Sequence, residues 1–247
     1  MSRILRSFLC PVYAQILLAC AAVFALTRCG AVCGYGTAAG IALIAVGGVS
    51  SALWGCVYQV KHNGRSPKEI AADFFRLKTP PKGYLLAAAF IVLDFLGVIF
   101  GGSLGADSVL TIPKLFLIAL VMGGIEELAW RYTFQPFLEK KMPYFAAALV
   151  TFACWGIWHF LFFYIDGSLP AIDPLPFLTG LLMLSFMLSA IYRLTGNLWL
   201  CVMTHALVNT LAQTVSGGSK LAEIAGKIAI VALAVVLCEM KNRKDDE

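Results

Sequence analysis

Charge is scarce in this sequence. Of 247 residues only 13% are Asp, Glu, Lys or Arg, about half the roughly 25% of an ordinary soluble domain. The hydrophobic share is 60% and the mean hydropathy is +0.83, which excludes a soluble single domain. Also missing are the alternating stretches of about ten residues that build an outer-membrane barrel and any groove-reading nucleic-acid module. No internal repeat, low-complexity tract or linker marks a second domain. What is present is a series of apolar blocks of about twenty residues, the length an α-helix needs to cross roughly 30 Å of hydrocarbon. The fold class is therefore all-α: a polytopic helical membrane protein, with residues 1–247 forming one transmembrane domain.

Block lengths and flanks predict eight spans, near 8–27, 32–60, 84–100, 112–138, 143–164, 175–192, 198–216 and 221–238, around a mid-membrane polar cavity. With the N-terminus in the cytoplasm, fourteen positive residues fall on the cytoplasmic side: Arg3, Arg6, Lys61, Arg65, Lys68, Arg76, Lys78, Lys82, Lys140, Lys141, Arg193, Lys241, Arg243 and Lys244. The other side holds four, Arg28, Lys114, Lys220 and Lys227, and Arg131 falls inside a span. That asymmetry places both termini in the cytoplasm and accounts for the net charge of +5; the same basic face would attract anionic membrane lipids. Met1 to Ala25 imitates a signal peptide, but the apolar run continues to Leu26 and the charge asymmetry needs this span, so it is expected to stay uncut. The eight cysteines are scattered, mostly in apolar runs, and read as small hydrophobes. Cys29 and Cys33, near the outer loop, are the pair placed to join.

The longest polar joint, 61–83, contains Ser66-Pro67-Lys68-Glu69, a capping box with proline at the first helical position. A short helix is expected there, with Ile70, Phe74 and Leu77 on one face, lying in the membrane interface.

An Asp, Glu or Arg at mid-span costs about 2.5–3.5 kcal/mol on insertion scales, so each requires a reason. The fourth span concentrates them in Glu126-Glu127-Leu128-Ala129-Trp130-Arg131. Adjacent helical residues point about 100° apart, so the two acids do different jobs. Glu127 lies four residues before Arg131, the favourable order for an ion pair, and Glu126 has no local partner. A carboxylate left unpaired in a low-dielectric site is suited to exchange protons near neutral pH. Two further spans add polar groups. Trp155 and His159 lie one turn apart on the fifth, His205 and Asn209 one turn apart on the seventh. At about 1.5 Å per residue from the cytoplasmic ends, Glu126 lies roughly 18 Å deep, His159 24 Å, His205 12 Å and Asn209 18 Å, close enough to meet in one cavity.

These residues resemble the CPBP family of intramembrane proteases, which includes the CAAX prenyl proteases and the bacteriocin-processing and self-immunity (Abi) proteins. The resemblance runs from about residue 112 to 215, the stretch expected to form the catalytic core. Glu126-Glu127 with Arg131 is similar to the family's EExxxR, His159 to the histidine of FxxxH, and His205 with Asn209 to HxxxN. Trp155 stands in place of the phenylalanine of the second motif, and Tyr132 where a glycine often follows the arginine. The resemblance implies an intramembrane endopeptidase. Glu126, assisted by His159, would activate water, and His205 and Asn209 would donate to the tetrahedral oxyanion. Glu127, Arg131 and Trp155 would support the architecture. The family is often labelled metalloprotease, and Glu126, His159 and His205 form a conceivable zinc set. The absence of HExxH, and an amide four residues after His205, favour glutamate catalysis without a cofactor, with zinc kept open.

Three other readings are retained. Cys201, one turn before His205, is a candidate nucleophile. Asp94 with the glutamates and histidines would form a relay in a proton-coupled transporter. A non-catalytic immunity or scaffold protein of the same fold would need none of the chemistry. The expected substrate is a membrane-associated or lipidated peptide, with no nucleic-acid partner, in a bacterial plasma membrane.

Overall fold

The computed structural model describes residues 2–105 and 110–245; the side chains of Arg243 and Lys244, counted above, lie outside the described residues. In chain order the elements are α1 (Leu5–Arg28), α2 (Ala38–Asn63), α3 (Pro67–Phe74), α4 (Pro81–Asp94), β1 (Gly102–Leu104), α5 (Thr111–Met122), α6 (Gln135–Glu139), α7 (Tyr144–Asp166), α8 (Pro174–Thr195), α9 (Leu198–Thr214), β2 (Val215–Gly217) and α10 (Lys220–Asp245). Among the described residues five helices are long and apolar enough to cross a membrane: α1, α2, α7, α8 and α10 as far as Lys241. The chain is an all-α polytopic membrane protein. The other three apolar blocks are shorter or interrupted. α4 has 14 residues and resumes after Phe95 as the turn Leu96–Ile99, α5 has 12, and α9 has 17.

Local sequence sets these boundaries. Gly196 takes a left-handed conformation (φ 60°) that stops α8, and the Asn197 side chain then accepts from the Leu200 amide at 3.1 Å to start α9. α3 carries the expected capping box: the Ser66 amide donates to Glu69 Oε2 at 2.7 Å, and the Glu69 amide to Ser66 Oγ at 3.2 Å. Ile70 is buried. Leu77 lies beyond the end of this helix and is exposed, so the apolar face expected of three residues reduces to Ile70 and Phe74. Cys29 and Cys33 are both free thiols, and the pairing expected of them is not formed. A short antiparallel ladder, Ser103 opposite Ser216, joins β1 to β2; three-residue strands this polar leave no alternation for a sequence reading to detect.

Between α5 and α6 the helix changes character three times, through a 3₁₀ turn at Gly124–Glu126, a single α-turn at Glu127–Ala129 and a π-turn at Trp130–Phe134. This stretch is the hub of the bundle, packed by α2, α7, α8 and α9. Phe8, Trp130 and Phe134 cluster around it, with ring centroids 5.6–6.1 Å apart. Gly55 of α2 presses directly on its backbone, where an added Cβ would come within 2.7 Å of the Leu128 carbonyl. Backbone groups loosened by the π-turn find partners. Gln59 Nε2 donates to the Tyr132 carbonyl at 2.7 Å, and Thr133 Oγ1 to the Leu128 carbonyl at 2.8 Å.

Candidate active site

The irregular hub places Glu126 and Glu127 on different neighbours. Glu126 is 6% exposed, and Trp155 Nε1 of α7 donates to its Oε2 at 2.5 Å. His159 Nε2, one turn along α7, lies 3.7 Å from the same oxygen. The depth reading set His159 about 6 Å beyond Glu126. α7 runs antiparallel to the hub, and helical side chains lean toward their own N-termini, so Glu126 leans deeper and His159 leans back, which closes the gap. The partner of Glu126 comes from another helix, 29 residues along the chain, so its carboxylate has no need of a local one. The signal was available: a buried indole N–H needs an acceptor.

Glu127 and Arg131 are both fully buried, and Arg131 NH1 lies 3.3 Å from Glu127 Oε1. The same oxygen accepts from His205 Nδ1 at 2.8 Å, a link between spans that no i, i+4 count reveals. Arg131 also lies over the Trp155 ring, 4.0 Å from its centroid. The edge of that ring system meets His205 at 5.4 Å and His159 at 5.3 Å. Trp155 thus touches every charged or imidazole member of the group except Glu127.

Two ring nitrogens are assigned by their partners. The Trp155 carbonyl, 3.0 Å from His159 Nδ1, can only accept, so Nδ1 carries the proton and Nε2 turns to Glu126. A carboxylate likewise accepts from His205 Nδ1, which leaves His205 Nε2 turned toward Gly123. A Cβ built on Gly123 would stand 2.9 Å from both His205 Nε2 and Asn209 Nδ2. Asn209 therefore shares one small space with His205, and Gly123, which sequence reasoning passed over, keeps that space open. The structure brings Glu126, His159, His205 and Asn209 into one neighbourhood, bounded by Glu127, Arg131 and Trp155.

The rival sequence readings fare differently. Cys201 Sγ donates to the carbonyls of Leu188 and Asn197, at 3.5 and 3.7 Å, and is fully buried, so it is directed away from His205. The charged neighbours of Asp94 are Lys227 and Glu223 of α10, which leaves a relay through the glutamates without its first link. Among the described residues no group of three or more His, Cys, Asp or Glu side chains is placed to hold a metal ion. Tyr132, in the position of the family's glycine, donates to Asp73 Oδ2 at 2.6 Å. Asp73 also faces Arg65 and Arg76, at 3.8 and 3.7 Å. This residue therefore fastens α3 to the hub.

Residues 108–211 match the family described as type II CAAX prenyl endopeptidase Rce1-like. The chain is also 36% identical over 102 residues to a protein named CAAX prenyl protease 2 from Methanococcus maripaludis; the aligned stretch is 37% of each chain, so the similarity spans little more than a third of that relative's length. The matched segment holds all three motifs, from Glu126 to Asn209, and it is over this segment that the chain is similar to the CAAX prenyl endopeptidases.

Proposed function

We propose that this protein is an intramembrane endopeptidase of the CAAX-protease type, hydrolysing a peptide bond of a membrane-associated or lipidated peptide. The observation that carries the reading is the facing pair of Glu126 Oε2 and His159 Nε2 at 3.7 Å. With Nδ1 committed to the Trp155 carbonyl, Nε2 offers a lone pair, and the carboxylate offers another. Two acceptors at this spacing are too far apart for a direct hydrogen bond but suit one water that donates a hydrogen to each. Such a water turns its own lone pair outward, toward a scissile carbonyl, and Glu126 takes its proton and returns it to the leaving amine. The Trp155 N–H fixes the carboxylate oxygen while this happens.

The developing oxyanion falls to Asn209 Nδ2 and His205 Nε2, the latter donating when its ring carries both protons. Removing one such donor costs about 10²- to 10³-fold in rate. Glu127 and Arg131 hold His205 in register rather than reacting. Because His205 Nδ1 is tied to Glu127 and the Trp155 ring lies against both imidazoles, the arrangement favours glutamate-activated water over zinc. The membrane setting follows from the helices; a bacterial plasma membrane with both termini cytoplasmic is proposed on the charge asymmetry.

The test is cleavage of candidate lipopeptides by the wild-type chain and by Glu126→Ala, His159→Ala and His205→Ala, each with and without a chelator. All three variants are expected to lose activity, with the wild type indifferent to the chelator. Chelator inhibition reversed by zinc assigns the step to a metal. Intact cleavage by Glu126→Ala overturns the proposal.

A further inference from the structure

The His159 imidazole meets four aromatic rings: Trp155 at 5.3 Å between centroids, Trp158 at 5.1 Å, Phe163 at 5.7 Å and Phe177 at 5.3 Å. The first three ride on α7 with His159 itself, adjacent to it or one turn away, so they share any movement of that helix. Phe177 is rooted in α8. Among the described residues it is the one aromatic ring from another helix against this imidazole. It is braced edge-on by Phe160 at 5.6 Å and Phe163 at 5.0 Å, an arrangement that aromatic quadrupoles favour.

What these rings withhold matters as much as what they touch. The Trp155 indole N–H is donated to Glu126 and the Trp158 indole N–H to Ser50 Oγ at 2.9 Å, and a phenyl ring has neither N–H nor O–H. None of the four therefore has such a donor left for His159 Nε2, whose lone pair stays available to the Glu126 side. A polar side chain in place of Phe177 would compete for it. The hydrogen bond that His159 does make leaves its placement incomplete. Nδ1 bonds the Trp155 carbonyl, in its own helix, at 3.0 Å, which fixes the imidazole relative to α7 but not relative to the hub that carries Glu126. Phe177 supplies that second reference from α8, which packs on the hub.

We propose that Phe177 is a positioning residue: it stops the His159 imidazole from swinging away from Glu126, and so keeps Nε2 and Glu126 Oε2 at the 3.7 Å spacing that one water can bridge. The inference rests on the role proposed above for His159 and deepens it, by naming the side chain of another helix that holds the pair in register. Phe177 acts only through His159, since an aryl ring moves no proton.

The experiment uses the full chain in detergent. Values of kcat and KM for lipopeptide cleavage are measured beside the ring nitrogen-15 spectrum of histidine-labelled protein, recorded above the ordinary histidine range, with His159→Gln assigning the signals. In the wild type His159 should show a protonated Nδ1 and a bare Nε2. Phe177→Ala should lower kcat about tenfold, within the roughly 10²-fold that a misplacement of about 1 Å costs, with KM nearly unchanged. It should also weaken the tautomer preference of His159 about fivefold. Phe177→Leu, which keeps apolar bulk without the ring, should restore most of both. Phe145→Ala removes another ring contact between α7 and α8, to Phe186 at 5.5 Å, and should change neither. If Phe177→Ala fails to fold, Phe177→Val decides by the same two readouts. An unaltered His159 spectrum in the truncated variant overturns the positioning role whatever the cleavage result, as does an equal loss of kcat in Phe145→Ala. A wild-type chain that cleaves nothing overturns the proposed function, and the spectrum still decides the role of Phe177.

Discussion

Replacing Glu127 with Gln asks whether this acid serves Arg131 alone or Arg131 and His205 together. Glu127 and Arg131 are both fully buried and 3.3 Å apart, so the substitution leaves a buried guanidinium without its counter-charge. Breaking a buried pair from one side typically costs about 3–5 kcal/mol. Gln keeps one accepting oxygen and the Trp155 face still lies over Arg131, which sets the expectation at the lower end, about 3 kcal/mol. The double variant Glu127→Gln/Arg131→Met removes both charges, and buried pairs replaced by apolar groups of similar volume are often neutral in stability. It should unfold within about 1 kcal/mol of wild type. Cleavage should stay low in both variants, because His205 Nδ1 then faces an amide in place of the carboxylate 2.8 Å away. Reversible unfolding in detergent, run beside lipopeptide cleavage, separates the two effects. Recovery of cleavage in the double variant would show that Glu127 acts only as the counter-ion of Arg131, and a single variant as stable as wild type would refute the energetic argument.

Gly123→Ala puts a methyl 2.9 Å from both His205 Nε2 and Asn209 Nδ2; turnover should fall about 10²-fold with little change in unfolding, and unchanged turnover would remove these two atoms from the mechanism. Cys201→Ala should leave cleavage intact, since Sγ points at the Leu188 and Asn197 carbonyls, and loss of activity without loss of stability would revive the cysteine reading. The Ser66 amide, and then its hydroxyl, donate to Glu69 and hold its carboxyl below the ordinary carboxylate range. The support this gives α3 is present above the ordinary value, about 4.3, and is lost as pH falls through the lower folded value. Amide exchange across residues 67–74, corrected for its intrinsic rate, should therefore quicken in acid. Ser66→Ala should abolish that step, and an identical acid profile in the variant would count against the capping box.

Much of the membrane architecture is legible in the sequence because hydrocarbon imposes one rule on every span: apolar residues for about twenty positions. The capping box of α3 and the Gly196-Asn197 junction are legible for a related reason, since each is decided by backbone needs within four residues. The Glu127–Arg131 pair follows from helical spacing alone. What escaped depends on contacts between spans. Trp155 donates to Glu126 across 29 residues, and His205 reaches Glu127 across 78; no local period encodes either. Gly123 and Gly55 escaped because their role is the space that an absent side chain leaves to a neighbouring helix. The free state of Cys29 and Cys33 is likewise a matter of three-dimensional placement that their spacing of four does not decide.

The π-turn at Trp130–Phe134 fixes rotational phase. An α-helix turns about 100° per residue, and a π-turn holds one residue more than the α-turn it replaces. Were the same residues wound as regular α-helix, the surplus one would rotate everything upstream by one such step relative to α6. Glu126 would swing off Trp155 and His159, and Glu127 off His205, although no member of the cluster had been mutated. In this chain the count of residues between motifs is as much a chemical requirement as their identity.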